Sequence, residues 1–289
     1  MTPHAPRRVV AGDSVAESMT AADPTTPAEV PIRAAATLMP IRDGDSGSGL
    51  EVCLLRRNAN STWVAGLALF PGGAVDPRDD DPALAERCTP GAAAELAGGP
   101  APWIAALRES FEEIGLLLAT DGAGRWAHDD AERAARLTAA RGPVDAGERS
   151  FADLLASEQL QLRVDLMRFV AHWVTPPGQA RRYDTRFYLA PTPPGAPVNP
   201  DGTEIVRADW IAPRTAIGEH EAGNLPMLPP TLGALHWLAP HGSVGEAVAA
   251  AEALGEIPRW EPSDIRAAQR RVDEADAAAG AEAAAEPTP

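Results

Sequence analysis

The chain has 289 residues, 45% of them apolar, with a net charge of −16 and no lysine among its 25 basic residues. The apolar content is ample for a core, and the acidic balance opposes a general nucleic-acid role, which needs a basic footprint to neutralise phosphates. No apolar run is long enough for a transmembrane helix, and the N-terminal stretch carries Arg7 and Arg8 without an apolar core, so no secretory signal and a cytoplasmic location are expected.

Residues 1–30, rich in Ala, Thr, Pro and Ser, are expected to be disordered. One domain is expected over 31–260, followed by a charged, Ala-rich tail over 261–289. Residues 35–41 and 51–57 read as strands joined by the Gly- and Ser-rich turn 43–49. Cys53 falls in the second of these and reads as a small core residue. With only Cys88 besides, nothing suggests a disulfide framework or a zinc site. Residues 67–70 run as a strand into Pro71-Gly72-Gly73, where glycine permits positive φ and close approach of backbone to another group.

Residues 80–100, rich in Ala, Gly, Asp and Pro, read as a surface excursion. A helix is expected over 101–119, with Pro102 suited to its first turn. Helical composition over 129–141 and 150–159 suggests a small cap. Strands follow at 166–174 and 185–190, then the Pro-rich link 191–200 and a strand at 204–211 ended by Pro213. Residues 213–221, 230–238 and 243–254 read as helices, and 263–276 as a charged helical stretch. Strands among helices without regular βαβ alternation fit an α+β sandwich.

The chemistry concentrates in Arg108-Glu109-Ser110-Phe111-Glu112-Glu113-Ile114-Gly115. Glu109, Glu112 and Glu113 lie three and four apart on the expected helix and so share one face, where like charges destabilise it. One reading is a solvated acidic face with Arg108 paired to Glu112. The other is a compensating cation. Clustered carboxylates without thiols or imidazoles suit a hard divalent ion, Mg²⁺ or Mn²⁺, which binds phosphate oxygens and activates water.

The order strand, Gly-Gly turn, acidic helix decides between them. The sequence resembles the Nudix hydrolases, whose signature runs Gly, five residues, Glu, seven residues, then Arg-Glu-apolar-x-Glu-Glu-x-Gly-apolar. Gly73 matches the opening Gly, and Arg108, Glu109, Glu112, Glu113, Gly115 and Leu116 match the closing part. Three departures stand out. Asp79 replaces the first Glu, Ser110 replaces the usual apolar residue, and residues 80–107 fill a gap where the family has seven. A box split by such an insert is similar to the branch that contains coenzyme A and acyl-coenzyme A diphosphatases and their bacterial relatives. The stretches His172–Pro176, Arg182–Leu189 and Leu225–Thr231 also resemble that branch.

The resemblance implies a Nudix-type α/β/α sandwich with a mixed β-sheet and an insertion inside the box. It implies metal binding by Glu109, Glu112 and Glu113, aided by the carbonyl of Gly72, with Arg108 holding a glutamate in its binding rotamer. The general base is left between Glu112 and Glu204. Arg57, Arg182 and Arg186 are candidates to meet substrate phosphates, and Arg33, Arg56 and Arg181 are further cations of the same kind. Trp63 and Tyr183 could flank an adenine or acyl group, whereas His172 reads as a packed strand residue.

The implied activity is metal-dependent hydrolysis of a diphosphate bond in coenzyme A or an acyl-coenzyme A. A second reading keeps the chemistry and changes the small nucleotide substrate to ADP-ribose, a dinucleotide or a nucleotide sugar. A third is a non-catalytic ligand-binding module on the same scaffold, against which the intact glutamates argue. No nucleic-acid or membrane partner is expected, and the helices between 230 and 254 could pack in a homodimer.

Overall fold

The computed structural model describes residues 30–47, 49–60, 65–92, 96–255, 257 and 259–260. The expectations for 1–29 and 261–289, including the helical stretch 263–276, lie outside these residues, as does Trp63.

The strands are β1 (Ile32–Asp43), β2 (Leu50–Arg57), β3 (Ala68–Leu69), β4 (Gly72–Ala74), β5 (Ala119–Asp121), β6 (Leu160–Leu162), β7 (Arg168–Val174), β8 (Arg182–Pro191), β9 (Ile205–Ile211) and β10 (Arg259–Trp260). The α-helices are α1 (Pro82–Ala85), α2 (Ala101–Ile114), α3 (Ala131–Asp145), α4 (Phe151–Ser157), α5 (Pro213–Glu221), α6 (Pro229–Leu238) and α7 (Val244–Glu252).

Eight strands form one mixed sheet in the order β10-β7-β8-β1-β2-β3, with β4 also paired to β1 and β9 to β2. β1 runs parallel to β8 and antiparallel to β2 and β4. Its near-continuous burial from Ala35 to Ile41 marks a central strand covered on both faces. Alternation sorts the side chains: Ala36 and Leu38 face a core with α2, α3 and α4, while Met39 and Ile41 face a core with α5, α6 and α7. The molecule is thus an α+β sandwich of helix, sheet and helix layers.

α2 packs Ile104, Leu107, Phe111 and Ile114 into the first core. It stops at Gly115, which adopts φ 73° and donates to Phe111 O at 2.9 Å. The expected helix ran on to residue 119 because Leu116, Leu117 and Leu118 continue an apolar run. Those residues are buried in a connection outside the helix that leads into β5. β5 and β6 form a separate two-stranded sheet that the sequence did not announce.

Two further differences bear on the site. The Gly-Gly turn is itself a strand: Gly72 and Gly73 pair with Thr37 and Ala36 of β1. The insert is more than a surface excursion. Leu84 and Cys88 are buried in the first core, Leu162 N donates to Arg87 O at 2.7 Å, and Thr89 N to Leu162 O at 2.9 Å. α3 and α4 likewise belong to that core, through Leu137, Val144, Phe151 and Leu155, instead of standing apart as a cap.

Candidate active site

β4 and α2 face each other without intervening side chains. A Cβ on Gly73 would lie 2.5 Å from the Glu109 carboxyl carbon, and one on Gly72 would lie 2.4 Å from Ala36 O. Gly72 N donates to Glu113 Oε2 at 3.0 Å. Glycine at 73 lets the strand lie directly over the Glu109 carboxylate, and glycine at 72 lets it lie close against β1.

Arg108 gathers the acids on the other side. Its Nε and Nη2 donate to the two carboxyl oxygens of Asp79 at 2.8 and 2.9 Å. Its Nη1 reaches Glu109 Oε1 at 2.9 Å and Glu112 Oε2 at 2.8 Å, and Nη2 also reaches Ala74 O at 3.1 Å. Asp79 is 1% exposed, and it closes a capping box by accepting from Asp76 N at 2.8 Å. The fork of Arg108 therefore links the turn after β4 to the acidic helix. Burial alone would lower the Arg108 pKa, but the Asp79 hydrogen bond and the charges of Glu109, Asp79 and Glu112 together raise it.

All three box carboxyls are shifted toward the protonated form. Burial raises Glu109 against the pull of Arg108. Burial pushes Glu112 up to about 7, with the Glu109 charge adding to it. Burial, then the Glu109 charge, raises Glu113 well above the carboxylate range. Packed carboxyls that repel one another and are short of cationic partners, all with oxygen donors, fit a hard divalent ion by chemistry. Among the described residues, however, no three His, Cys, Asp or Glu side chains converge as a ligand set. Arg108 draws Glu109 and Glu112 to one side, while Glu113 turns to the Gly72 amide.

Two cavities meet at Glu109. One of about 520 Å³ contains Arg33, Asp76, Arg108, Glu112 and Asp145. The other, a cleft of about 430 Å³ beside β1, β4 and β8, is lined by the charged residues Arg57, Arg181 and Glu204 and by the apolar residues Phe70, Phe187, Leu228 and Pro230. Arg57 Nη2 pairs with Glu204 across this cleft, and Arg57 Nε is buried without a partner.

The sequence candidates divide accordingly. Gly72, Arg57, Glu109, Glu204, Arg181 and Tyr183 line the cleft. Glu112 and Arg33 line the neighbouring cavity. Arg182 instead donates from Nε to Thr175 O at 3.1 Å. Arg186 packs its guanidinium against Gly98 of the insert. Both arginines lie on the β8 face opposite to Tyr183 and Phe187, so they are displaced from the cleft by strand alternation. Arg56 reaches Asn224 O at 3.2 Å, and His172 Nε2 meets Asp184 Oδ1 at 2.5 Å. Thr37, Thr185 and Thr231, which also line the cleft, were not singled out in sequence. The first two fall on the cleft face of strands whose alternation was legible.

A helix–sheet–helix sandwich with a glutamate helix under a Gly-Gly strand defines a Nudix hydrolase. The chain belongs to that family: the NUDT19 Nudix domain matches residues 81–238. It is similar to the acyl-coenzyme A diphosphatase NUDT19 of Gallus gallus, at 28% identity over 262 residues, covering 75% of this chain and 69% of that protein. The Homo sapiens protein of the same name is 25% identical over 253 residues, covering 74% and 68%. Among solved structures, a NUDIX hydrolase from Alicyclobacillus acidocaldarius is 31% identical with a TM-score of 0.63, covering 77% of this chain and 97% of that one. Among the described residues no helix is long and apolar enough to cross a membrane.

Proposed function

We propose that this Nudix hydrolase cleaves the diphosphate bond of coenzyme A or an acyl-coenzyme A, using Mg²⁺ or Mn²⁺ held by Glu109, Glu112 and Glu113 with help from the Gly72 carbonyl. The observation that carries this reading is the position of Glu109, which opens from the acidic helix into a cleft lined by both charged and apolar side chains. Such a cleft suits a ligand with a diphosphate at one point and a pantetheine or acyl chain beyond it. The names of the Gallus gallus and Homo sapiens relatives support the substrate.

A divalent cation bound at these carboxylates would neutralise phosphate charge and make water a better nucleophile. Arg57 and Arg181 supply further positive charge to the diphosphate from the cleft wall. Arg108 keeps Glu109 and Glu112 on one side of the helix. Glu204 accepts the proton of the attacking water as its oxygen bonds to phosphorus. The phosphoanhydride P–O bond then breaks, and adenosine 3′,5′-bisphosphate leaves from phosphopantetheine or its acyl derivative. Glu204 is favoured over Glu112 for this role because it lines the cleft, whereas Glu112 lines the neighbouring cavity. Its side chain is half exposed, so it can exchange that proton with solvent.

The test is chromatography of products from coenzyme A, acetyl- and longer acyl-coenzyme A, ADP-ribose and NADH, with Mg²⁺ or Mn²⁺ and an EDTA control. Metal-dependent release of adenosine 3′,5′-bisphosphate is expected. Turnover of ADP-ribose or NADH alone would keep the chemistry and discard the substrate.

A further inference from the structure

The C-terminal end of α2 is gripped from outside at three successive carbonyls. Arg141 Nη2 donates to Glu112 O at 3.0 Å, Asp201 N to Glu113 O at 2.9 Å, and Asn199 N to Ile114 O at 2.7 Å. A helix leaves its last carbonyls without internal partners. Here they hold the segment that precedes β9. Arg141 completes the grip, because its Nη1 also donates to Asn199 O at 2.9 Å. One guanidinium on α3 thus bridges the acidic helix and the 199–204 loop. Arg141 packs beside Gly115, where a Cβ would lie at van der Waals distance, 3.4 Å, from Arg141 Nη1.

Asp201 carries the grip forward to Glu204. Its carboxylate accepts from Thr203 N at 2.6 Å, Glu204 N at 2.7 Å and Ile205 N at 3.0 Å, and from the Thr203 hydroxyl. On the far side, Asn58 N donates to Glu204 O and Asn58 Nδ2 to Thr203 O, both at 2.9 Å. The backbone of Glu204 is therefore fixed relative to the helix that bears Glu109, Glu112 and Glu113.

We infer that Arg141 and Asp201 are positioning residues for hydrolysis: they set the distance between the Glu204 carboxylate and the acidic helix. A proton acceptor loses most of its advantage when displaced by about 1 Å. The loop contributes only a short run of backbone to the sheet edge before β9 begins. The carbonyl grip adds directed hydrogen bonds to the packing of Ile205 in the core that α2 shares. This inference rests on the reading of Glu204 as proton acceptor.

The test is steady-state kinetics of the full chain on whichever substrate of the panel turns over. Arg141→Met, Arg141→Lys and Asp201→Ala are each made alone and with Glu204→Gln, and thermal unfolding is followed in parallel. Arg141→Met and Asp201→Ala should each lower kcat by about 10- to 100-fold with little change in KM. Arg141→Lys should recover part of the loss, since an ammonium can reach one of the two carbonyls. In the Glu204→Gln background neither Arg141→Met nor Asp201→Ala should lower kcat further. Wild-type kcat in both variants, or a loss that multiplies in full onto Glu204→Gln, would overturn the inference. Glu204→Gln with undiminished turnover would overturn the proton-acceptor reading and this inference with it. Should Arg141→Met not fold, Asp201→Ala decides alone, because it leaves both Arg141 bonds in place.

Discussion

Gly73 and Glu109 stand in van der Waals opposition, with a Cβ on Gly73 falling within 2.5 Å of the glutamate carboxyl carbon. Glu109 is the one box glutamate shared by the two cavities. A methyl at Gly73 must therefore push away the carboxylate that opens to the cleft, while Gly73 sits on a strand whose backbone any residue can adopt. Gly73→Ala is expected to lower kcat by about 100-fold with only a small change in melting temperature. Comparable losses of activity and stability, or none of either, would contradict the assigned geometry.

Asp79 tests the same network from the side of stability. Asp79→Ala leaves Arg108 paired to Glu109 and Glu112 but removes its two bonds to Asp79 and the acceptor for Asp76 N, at a cost of about 1–3 kcal/mol for the buried donors left unmet. A fall in melting temperature of roughly 5 °C is expected. Asp79→Asn keeps an acceptor for the cap but loses the charge, and should fall less. Calorimetry of the two variants measures the difference. Equal falls would place the effect in the ion pair and leave the cap without weight, whereas a fall confined to Asp79→Ala would place it in the cap.

The acidic helix and the Gly-Gly step before it were legible because their signal is local, charges at three- and four-residue spacing and a Pro-Gly-Gly run, although that step is a strand and not the expected turn. The helices at 213–221 and around 230–238 were legible for the same reason, with prolines at their first turns. The face on which Arg182 and Arg186 fall was not legible, because both faces of β8 meet packed layers farther along the strand, at Phe187 and Tyr188. Alternation separates its residues into two sets, but only tertiary packing says which set meets the cleft. Leu84 and Cys88 were hidden in a stretch of Ala, Gly, Asp and Pro whose composition resembles a loop. The bridge from Arg141 to Glu112 and Asn199 joins positions with no spacing relation at all.

The two cysteines give a pH prediction outside the site. Burial, then the Asp209 charge, pushes Cys53 up to about 12, and burial pushes Cys88 up to about 11, from an ordinary value of 9.0. The folded chain thus holds these protons after the unfolded chain has lost them, and folding stability falls as pH rises above 9. Denaturation midpoints at pH 7, 9 and 10 should decline, and less steeply in a Cys53→Val, Cys88→Ala double variant. In the native protein both thiols should resist an aromatic disulfide reagent at pH 8 and react only on unfolding. Rapid native labelling would show that one of them is accessible.

Metal binding has a readout independent of turnover. If Glu109, Glu112 and Glu113 hold Mg²⁺ or Mn²⁺, the cation binds the folded state alone and stabilises it, by about 2.7 kcal/mol at 100 times its dissociation constant. Melting temperature should rise saturably with added Mn²⁺ and return with EDTA. Glu113→Gln should remove most of that rise, although its loss of buried charge repulsion leaves the metal-free protein no less stable. A rise that persists in Glu113→Gln would locate the cation elsewhere.

The apolar lining of the cleft yields the last prediction. Leu228 is only half-buried and lies just before α6, so its side chain can change without opening the core as truncation of Phe187 would. If this lining receives the acyl group, Leu228→Ser withdraws contact from that group and leaves the diphosphate contacts unchanged. KM for a long acyl-coenzyme A should then rise by roughly tenfold, the equivalent of one to two lost methylene contacts. KM for unacylated coenzyme A should change far less, and kcat should hold for both, because binding lost equally from ground and transition states appears in KM. Parallel changes for both substrates would show that Leu228 meets the part they share, moving the acyl group to another wall.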